Sequence, residues 1–156
     1  MLRNYRMADI RSSEERSRNM SAIKRTGTKP ELYIRRLLFH AGYRYRLQTN
    51  KIPGHPDLWL GKFNTAVFVH GCFWHRHKGC SLAYTPKSRE DFWNKKFENN
   101  VKRDRVVHEQ LRTKNIRCLI IWECRIRQAQ KKNGDPGLLL KEIEGFLFSD
   151  RDYQEL

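Results

Sequence analysis

Acidic residues are scarce in this chain: 17 Asp+Glu stand against 32 Lys+Arg, a net charge of +15 over 156 residues. A field of that sign attracts a polyanion, of which nucleic acid is the commonest. Long apolar runs are missing too, and with a mean hydropathy of −0.83 no membrane-spanning helix is expected. No apolar stretch follows the charged first residues, so no secretory leader is expected, and the protein reads as cytoplasmic. No repeat, low-complexity block or Pro/Gly/Ser linker divides the chain. The length suits one domain with one core. Apolar residues at 38% and aromatics at 12% are too many for a disordered basic tail. Four cysteines without a leader favour metal binding over disulfides.

The positive charge is concentrated at the front. Arg11, Arg16, Arg18, Lys24, Arg25 and Lys29 crowd a stretch poor in apolar residues. Residues 11–29 read as a basic arm that neutralises phosphates without reading bases. Residues 1–10 read as an extension, with Met7 a second candidate start, 11–150 as the domain, and 151–156 as a tail.

Patterning supplies the elements. Ser12-x-x-Glu15 is a capping box for a helix over residues 12–23. Thr28-Lys29-Pro30-Glu31 opens another, with Ile34, Leu37, Leu38 and Ala41 on one face and Gly42 as its stop. Residues 43–47 alternate as a strand does, and residues 57–60 and 65–70 form a hairpin about 61–64. Residues 71–87 are irregular. Ser88-x-x-Asp91 starts a long helix whose stripe carries Trp93, Phe97, Val101, His108 and Leu111 together with Asn100 and Asp104. The continuous apolar run at 117–122 predicts a strand inside a sheet. Asp135-Pro136 starts a last helix with Leu139, Ile143, Phe146 and Leu147 inward. The sum is an α/β mixed sheet flanked by helices, with the strands at 65–70 and 117–122 parallel through a helical crossover.

Two groups of residues carry chemistry. Cys72-x4-His77-x2-Cys80 puts three soft or borderline ligands in one loop, the donor set Zn(II) prefers. Cys124 and Cys118 compete as the fourth ligand, and His75 is a rival within the loop. Pro56-Asp57 beside the strand ending at His70 resembles the PD…(D/E)xK nuclease arrangement. There an acidic side chain holds Mg(II) against the scissile phosphate. The second acidic residue of that motif is absent, since Phe68-Val69-His70 stands in its place, and an Asp after Pro is also an ordinary turn residue. His70 and His75 can move protons near neutral pH. Asp104, on a sheet-facing stripe, needs a partner, and a histidine would make an Asp–His couple.

A more specific likeness follows. His70-Gly71-Cys72-Phe73-Trp74-His75 resembles the hallmark of the very-short-patch mismatch-repair (Vsr) DNA endonucleases. So do Ser17-Arg18-Asn19-Met20, Pro53-Gly54-x-Pro56-Asp57, Phe92-Trp93 through Asn100-Val101-x-Arg103-Asp104, and Trp122-Glu123-Cys124. The resemblance implies a restriction-endonuclease-like fold with a structural Zn(II). It implies a monomeric, Mg(II)-dependent enzyme that nicks double-stranded DNA 5′ to the T of a T·G mismatch left by 5-methylcytosine deamination. Such a protein works at the bacterial nucleoid, with mismatch-repair proteins as a further class of partner.

Carried over by position, Asp57 and the Val69 backbone are the magnesium ligands. His75, oriented by Asp104, is the general acid or base, and His70 a second catalytic histidine. Glu31 falls on an active-site position as well as in a capping box. The zinc set becomes Cys72, His77, Cys80 and Cys124. Phe73 and Trp74 are the major-groove wedge and Met20 a minor-groove insertion, with Arg18, Lys24 and Arg25 on the duplex. Val69 departs from the family pattern, where Thr is familiar, and the spacing before Cys80 is one residue longer. A restriction enzyme of the same fold and a zinc-stapled DNA-binding module without catalysis are the competing readings.

Overall fold

A computed structural model describes Ser12, Glu14, Glu15, Arg18 and residues 26–156. Most of the expected first helix, with Met20, Lys24 and Arg25, therefore lies outside the described residues. The Ser12–Glu15 capping box is formed, with both reciprocal bonds at 3.1 Å. Arg18 is helical and exposed.

The elements run α1 (Lys29–His40), β1 (Leu58–Leu60), β2 (Thr65–His70), α2 (Glu90–Thr113), β3 (Arg117–Trp122), α3 (Glu123–Gln130), α4 (Pro136–Leu147) and β4 (Tyr153–Glu155). The sheet order is β1-β2-β3-β4. β1 is antiparallel to β2, while β2–β3 and β3–β4 are parallel. The mixed α/β sheet, the hairpin, the internal β3 and the α2 crossover agree with the pattern reading.

Four details differ. Residues 43–47 make only one bridge, Arg46 to Trp59, because the bend at 48–55 carries the chain away from the β1 edge. Ser88 does not cap α2. Its N-cap is Arg89 in a left-handed conformation without a side-chain bond, and Glu90 and Asp91 face the positive end of the dipole instead. Helix α3 follows β3 directly, where no capping signal announces it. Residues 151–156 are not a free tail, since Tyr153–Glu155 pair with Cys118–Ile120 as an edge strand.

Strand alternation divides the core into two. Val67, Leu119 and Ile121 face Ile34 and Leu38 of α1, Ile126 of α3 and Leu139, Ile143 and Phe146 of α4. Ala66, Phe68, Ile120 and Trp122 face Leu111 and Val107 of α2. Every residue assigned inward on α4 is buried, whereas Ala41 of the α1 stripe is exposed. Because β2 and β3 pair in register from Thr65↔Arg117 to His70↔Trp122, both strands end together. The 71–87 segment and the first turn of α3 therefore leave the sheet side by side, at the carboxyl ends of parallel strands, where α/β sheets hold their sites.

The turn before Asp57 is tightly fitted. Gly54 has φ +77°, and a Cβ there would sit 2.4 Å from Val107 Cγ1 of α2. Gly54→Ala is expected to destabilise the fold by about 1–3 kcal/mol, from overpacking plus a strained backbone. Chemical denaturation checks this; unchanged stability would mean that α2 gives way freely. Among the described residues no helix is long and apolar enough to cross a membrane.

Candidate active site and metal centre

A cavity of about 600 Å³ opens at this strand end. Its walls include Glu31 from α1, Asp57 from the turn into β1, Val69 and His70 from β2, and His75 from the following loop. Arg103, Asp104 and His108 come from α2. Asp57 is fixed by a backbone bond, in which the Val69 N–H donates to its Oδ2 at 2.7 Å. Burial is the main cause that pushes this carboxyl up to about 6. Glu31 adds to the rise, and the Val69 bond, Arg35 and His75 oppose it.

His70 and His75 stack face to face, with centroids 3.8 Å apart and planes 8° from parallel. His75 Nδ1 lies 2.6 Å from Asp104 Oδ2. His70 is 7% exposed. Burial first, then the charge of His75, lower its pKa to about 3, so it stays neutral throughout the working pH range. The stacking has a chemical consequence: one ring of the pair can carry a charge beside Asp104, and the other stays uncharged. His70, His75 and Asp104 place ligand atoms within 4.8 Å of one another. Parallel rings point their nitrogen lone pairs side by side rather than at one centre. That favours proton handling over chelation.

Glu31 is 3% exposed and takes three donors: Gly27 N at 2.7 Å, Thr28 Oγ1 at 2.9 Å and Arg35 Nη2 at 3.1 Å. Half of the capping box is formed, the Glu31 N–H donating to Thr28 Oγ1 at 3.5 Å, while the Glu31 carboxylate takes the N–H of Gly27 rather than that of Thr28; Glu31 also lines the cavity.

A second cluster lies behind the loop. Cys72, His77, Cys80 and Cys124 bring their ligand atoms within 4.8 Å of one another. His77 Nδ1 is 3.6 Å from Cys72 Sγ and 3.3 Å from Cys124 Sγ. Its ring is stacked on Trp122 at 4.1 Å, which fixes its orientation. Cys118 is not in this group. It lines the first cavity as a buried thiol, pushed up to about 12 by burial and then by Glu155. Three thiols and an imidazole in a closed group of four are a donor set that fits Zn(II).

Phe73 and Trp74 are half-buried. Phe73 packs on Trp93 and Phe97 of α2 and on Tyr84, at 5.1–5.6 Å. Lys96 Nζ sits 5.2 Å over the Trp74 ring. Asn100 Nδ2 donates to the Trp74 carbonyl at 3.1 Å. The two residues thus form part of an aromatic cluster between the loop and α2, with the Lys96 ammonium over it. Helical periodicity alone places Trp93 in the core and does not single out Tyr84 or Lys96. Nor does it single out Arg35, although the Glu31/Arg35 i, i+4 spacing is a signal in the sequence.

Comparison with known proteins bears on what this arrangement does. A family model described as DNA mismatch endonuclease Vsr matches residues 8–82. The type II nicking enzyme V.NmeAIP of Neisseria meningitidis (serogroup A) is 39% identical over 138 residues, covering 88% of this chain and 98% of that protein. The DNA mismatch endonuclease Vsr of Escherichia coli K12 is 39% identical over 125 residues, 80% of each chain. The type II nicking enzyme V.XorIIP of Xanthomonas oryzae is 39% identical over 120 residues, 77% of this chain and 88% of its own.

Proposed function

The chain belongs to the Vsr family of DNA mismatch endonucleases, and we propose that it nicks one strand of duplex DNA 5′ to the T of a T·G mismatch. One observation carries the reading: Asp57, the stacked His70–His75 pair and Asp104 share a single cavity. The restriction-endonuclease-like arrangement is supported by the family and by a mixed sheet with helices on both faces. The names of relatives, nicking enzymes and a mismatch endonuclease, favour single-strand scission over a double-strand cut.

Hard oxygen donors suit Mg(II), and Asp57 offers a carboxylate with the Val69 backbone against it. When bound, the ion would offset charge on the phosphate and lower the pKa of a water. Val in place of Thr costs nothing if that residue serves through its main chain. Asp104 orients His75 through Nδ1, leaving Nε2 to exchange a proton with the nucleophile or leaving group. Neutral His70 offers a hydrogen bond without setting a second charge against His75. Zn(II) on Cys72, His77, Cys80 and Cys124 would tie the loop bearing Phe73 and Trp74 to the end of β3.

A T·G wobble stacks poorly, so wedging it apart costs less than opening a matched step. Phe73 and Trp74 are suited to one groove and Met20 to the other. Arg18, Lys24 and Arg25 hold phosphates in this account. One mismatch on one strand has no two-fold axis, which suits a monomer.

The direct test uses duplexes labelled on each strand that differ only in T·G versus T·A, incubated with Mg(II). A single nick beside the mismatched T is expected. Double-strand breaks on matched duplex would mark a restriction enzyme, and no scission with any divalent cation a binding module. The carboxyl of Asp57 adds a pH prediction. It must be ionised to hold a cation and is held up at about 6. Below that pH the half-saturating Mg(II) concentration is expected to rise by about tenfold per unit, as protons compete. A flat requirement from pH 5 to 8 would remove Asp57 as the ligand.

A further inference from the structure

Ring contacts, rather than hydrogen bonds, hold the His70 side chain among the described residues. His75 stacks on it at 3.8 Å, Phe68 lies 6.0 Å away, and Trp122 meets it in a T-shaped contact at 5.3 Å and 73°. Trp122 ends β3 and pairs in register with His70 at the end of β2. In-register neighbours on parallel strands turn their side chains to the same face, with the strands about 4.8 Å apart. The same indole is stacked on the His77 ring at 4.1 Å and 4°. It therefore stands between the two clusters, with the catalytic histidines on one side and an imidazole of the cysteine-rich loop on the other.

The last strand fixes this indole in turn. The Trp122 Nε1–H donates to Glu155 Oε2 of β4 at 2.8 Å, and the Trp122 backbone N–H donates to the Leu156 carbonyl at 2.8 Å. Tyr153 Oη donates to the other Glu155 oxygen. Trp122 is 7% exposed, so an indole N–H deprived of its acceptor is costly there. Glu155 itself is exposed, so its side chain is not needed to fill the core. We infer that Trp122, locked by Glu155, is a positioning residue for nicking: it braces the His70 ring against His77 and so holds the His70–His75 stack at the strand end. The short strand β4 thereby sets a catalytic side chain from across β3. A misplacement of about 1 Å at a reacting group costs on the order of 10²-fold in rate. The inference rests on His70 acting at the phosphate, as proposed above.

Two measurements on the full-length, zinc-loaded protein test it. One is single-turnover nicking of a T·G duplex at saturating Mg(II). The other is NMR of the histidine ring C–H signals, with His70 assigned from the signals lost in His70→Ala. Glu155→Ala is expected to shift the His70 ring signals, because a displaced indole changes the ring current there, and to lower the maximal rate by about tenfold. Zinc content and mismatch affinity should stay at the wild-type values. Glu155→Gln, which keeps an acceptor for the indole N–H, should restore both readouts. Trp122→Phe should shift the same signals and slow nicking at least as much, and Glu155→Ala should add little on top of it, since the two act through one contact.

Unmoved His70 signals or a wild-type rate in Glu155→Ala would overturn the inference. So would a fall in mismatch affinity equal to the fall in rate, or a lower Tm with an unchanged rate per folded molecule, which are the marks of a merely structural pair. If Trp122→Phe does not fold, Glu155→Ala decides alone. His70→Ala separates the two readings. Wild-type nicking in that variant would remove His70 from the reaction, and the inference with it. Slow nicking there, with unmoved His70 signals in Glu155→Ala, would leave the reaction as proposed and overturn only the brace.

Discussion

Asp57→Asn is expected to abolish nicking, by about 10³-fold or more, and at the same time to make the protein more stable when no Mg(II) is added. The two effects share one cause. Burial raises the Asp57 carboxyl from 3.8 to about 6, so the folded protein holds this proton more tightly than the unfolded chain does. Stability from this group is intact below about pH 4, falls as pH rises from there to about 6, and then levels off. At neutral pH the ionised carboxylate costs up to about 3 kcal/mol, since each tenfold difference in proton affinity between the folded and unfolded chain is worth about 1.4 kcal/mol. Asparagine is nearly the same size, can still accept the Val69 N–H, and carries no charge. A Tm higher by about 5 °C is expected for Asp57→Asn in the absence of added divalent ions. Mismatch binding should survive, because the wedge and the arm are untouched. A gel-shift assay and a thermal melt measure the two sides. A variant that melts lower than wild type, or fails to fold, would make Asp57 a structural residue.

Cys124→Ser is expected to remove the zinc and much of the stability. Cys72, His77, Cys80 and Cys124 form a closed group at the end of β3. Without a metal, burial raises Cys72 to about 12 and raises Cys124 as well, so the thiols stay protonated there. Zn(II) would convert them to thiolates, and its binding free energy would add to that of folding. The loop they hold has no regular secondary structure of its own. The expected result is loss of the zinc equivalent by elemental analysis and a fall in Tm of more than about 10 °C. Cys118→Ser is the control. Its thiol lines the other cavity, so zinc content should not change. The opposite pattern, with zinc kept in Cys124→Ser and lost in Cys118→Ser, would reassign the fourth ligand.

Where the chain's own chemistry is local, the sequence is legible. A period of 3.6 marks α1, α2 and α4, which each bury one face, and short continuous apolar runs mark β2 and β3, which bury both. Val67 and Ala66 take opposite sides of the sheet, and Leu139 and Ile143 line up along one helix. The ligand spacing from Cys72 to Cys80 is local as well. The choice between Cys118 and Cys124 is not, since spacing alone admits either. Strand alternation decides it by turning Cys118 into the cavity wall beside Ile120, while Cys124 leaves the sheet on α3.

The features that pattern does not reveal are those made by long-range fitting. β4 has too few residues to carry a pattern, and pairs only because β3 offers an open edge. The His70–His75 stack depends on how the loop folds back over the strand end. Arg35 looks on paper like any exposed helix cation, and only its ion pair with the buried Glu31 makes it half-buried.

The most direct measurement is a competition. Two duplexes of one sequence, one with a T·G pair and the other with T·A at the same position, carry different labels and share one tube with the protein and Mg(II). The account predicts that the T·G duplex is consumed first, by a single nick 5′ to the mismatched T, while the matched duplex stays intact. Equal consumption of the two, or scission of both strands, would contradict it.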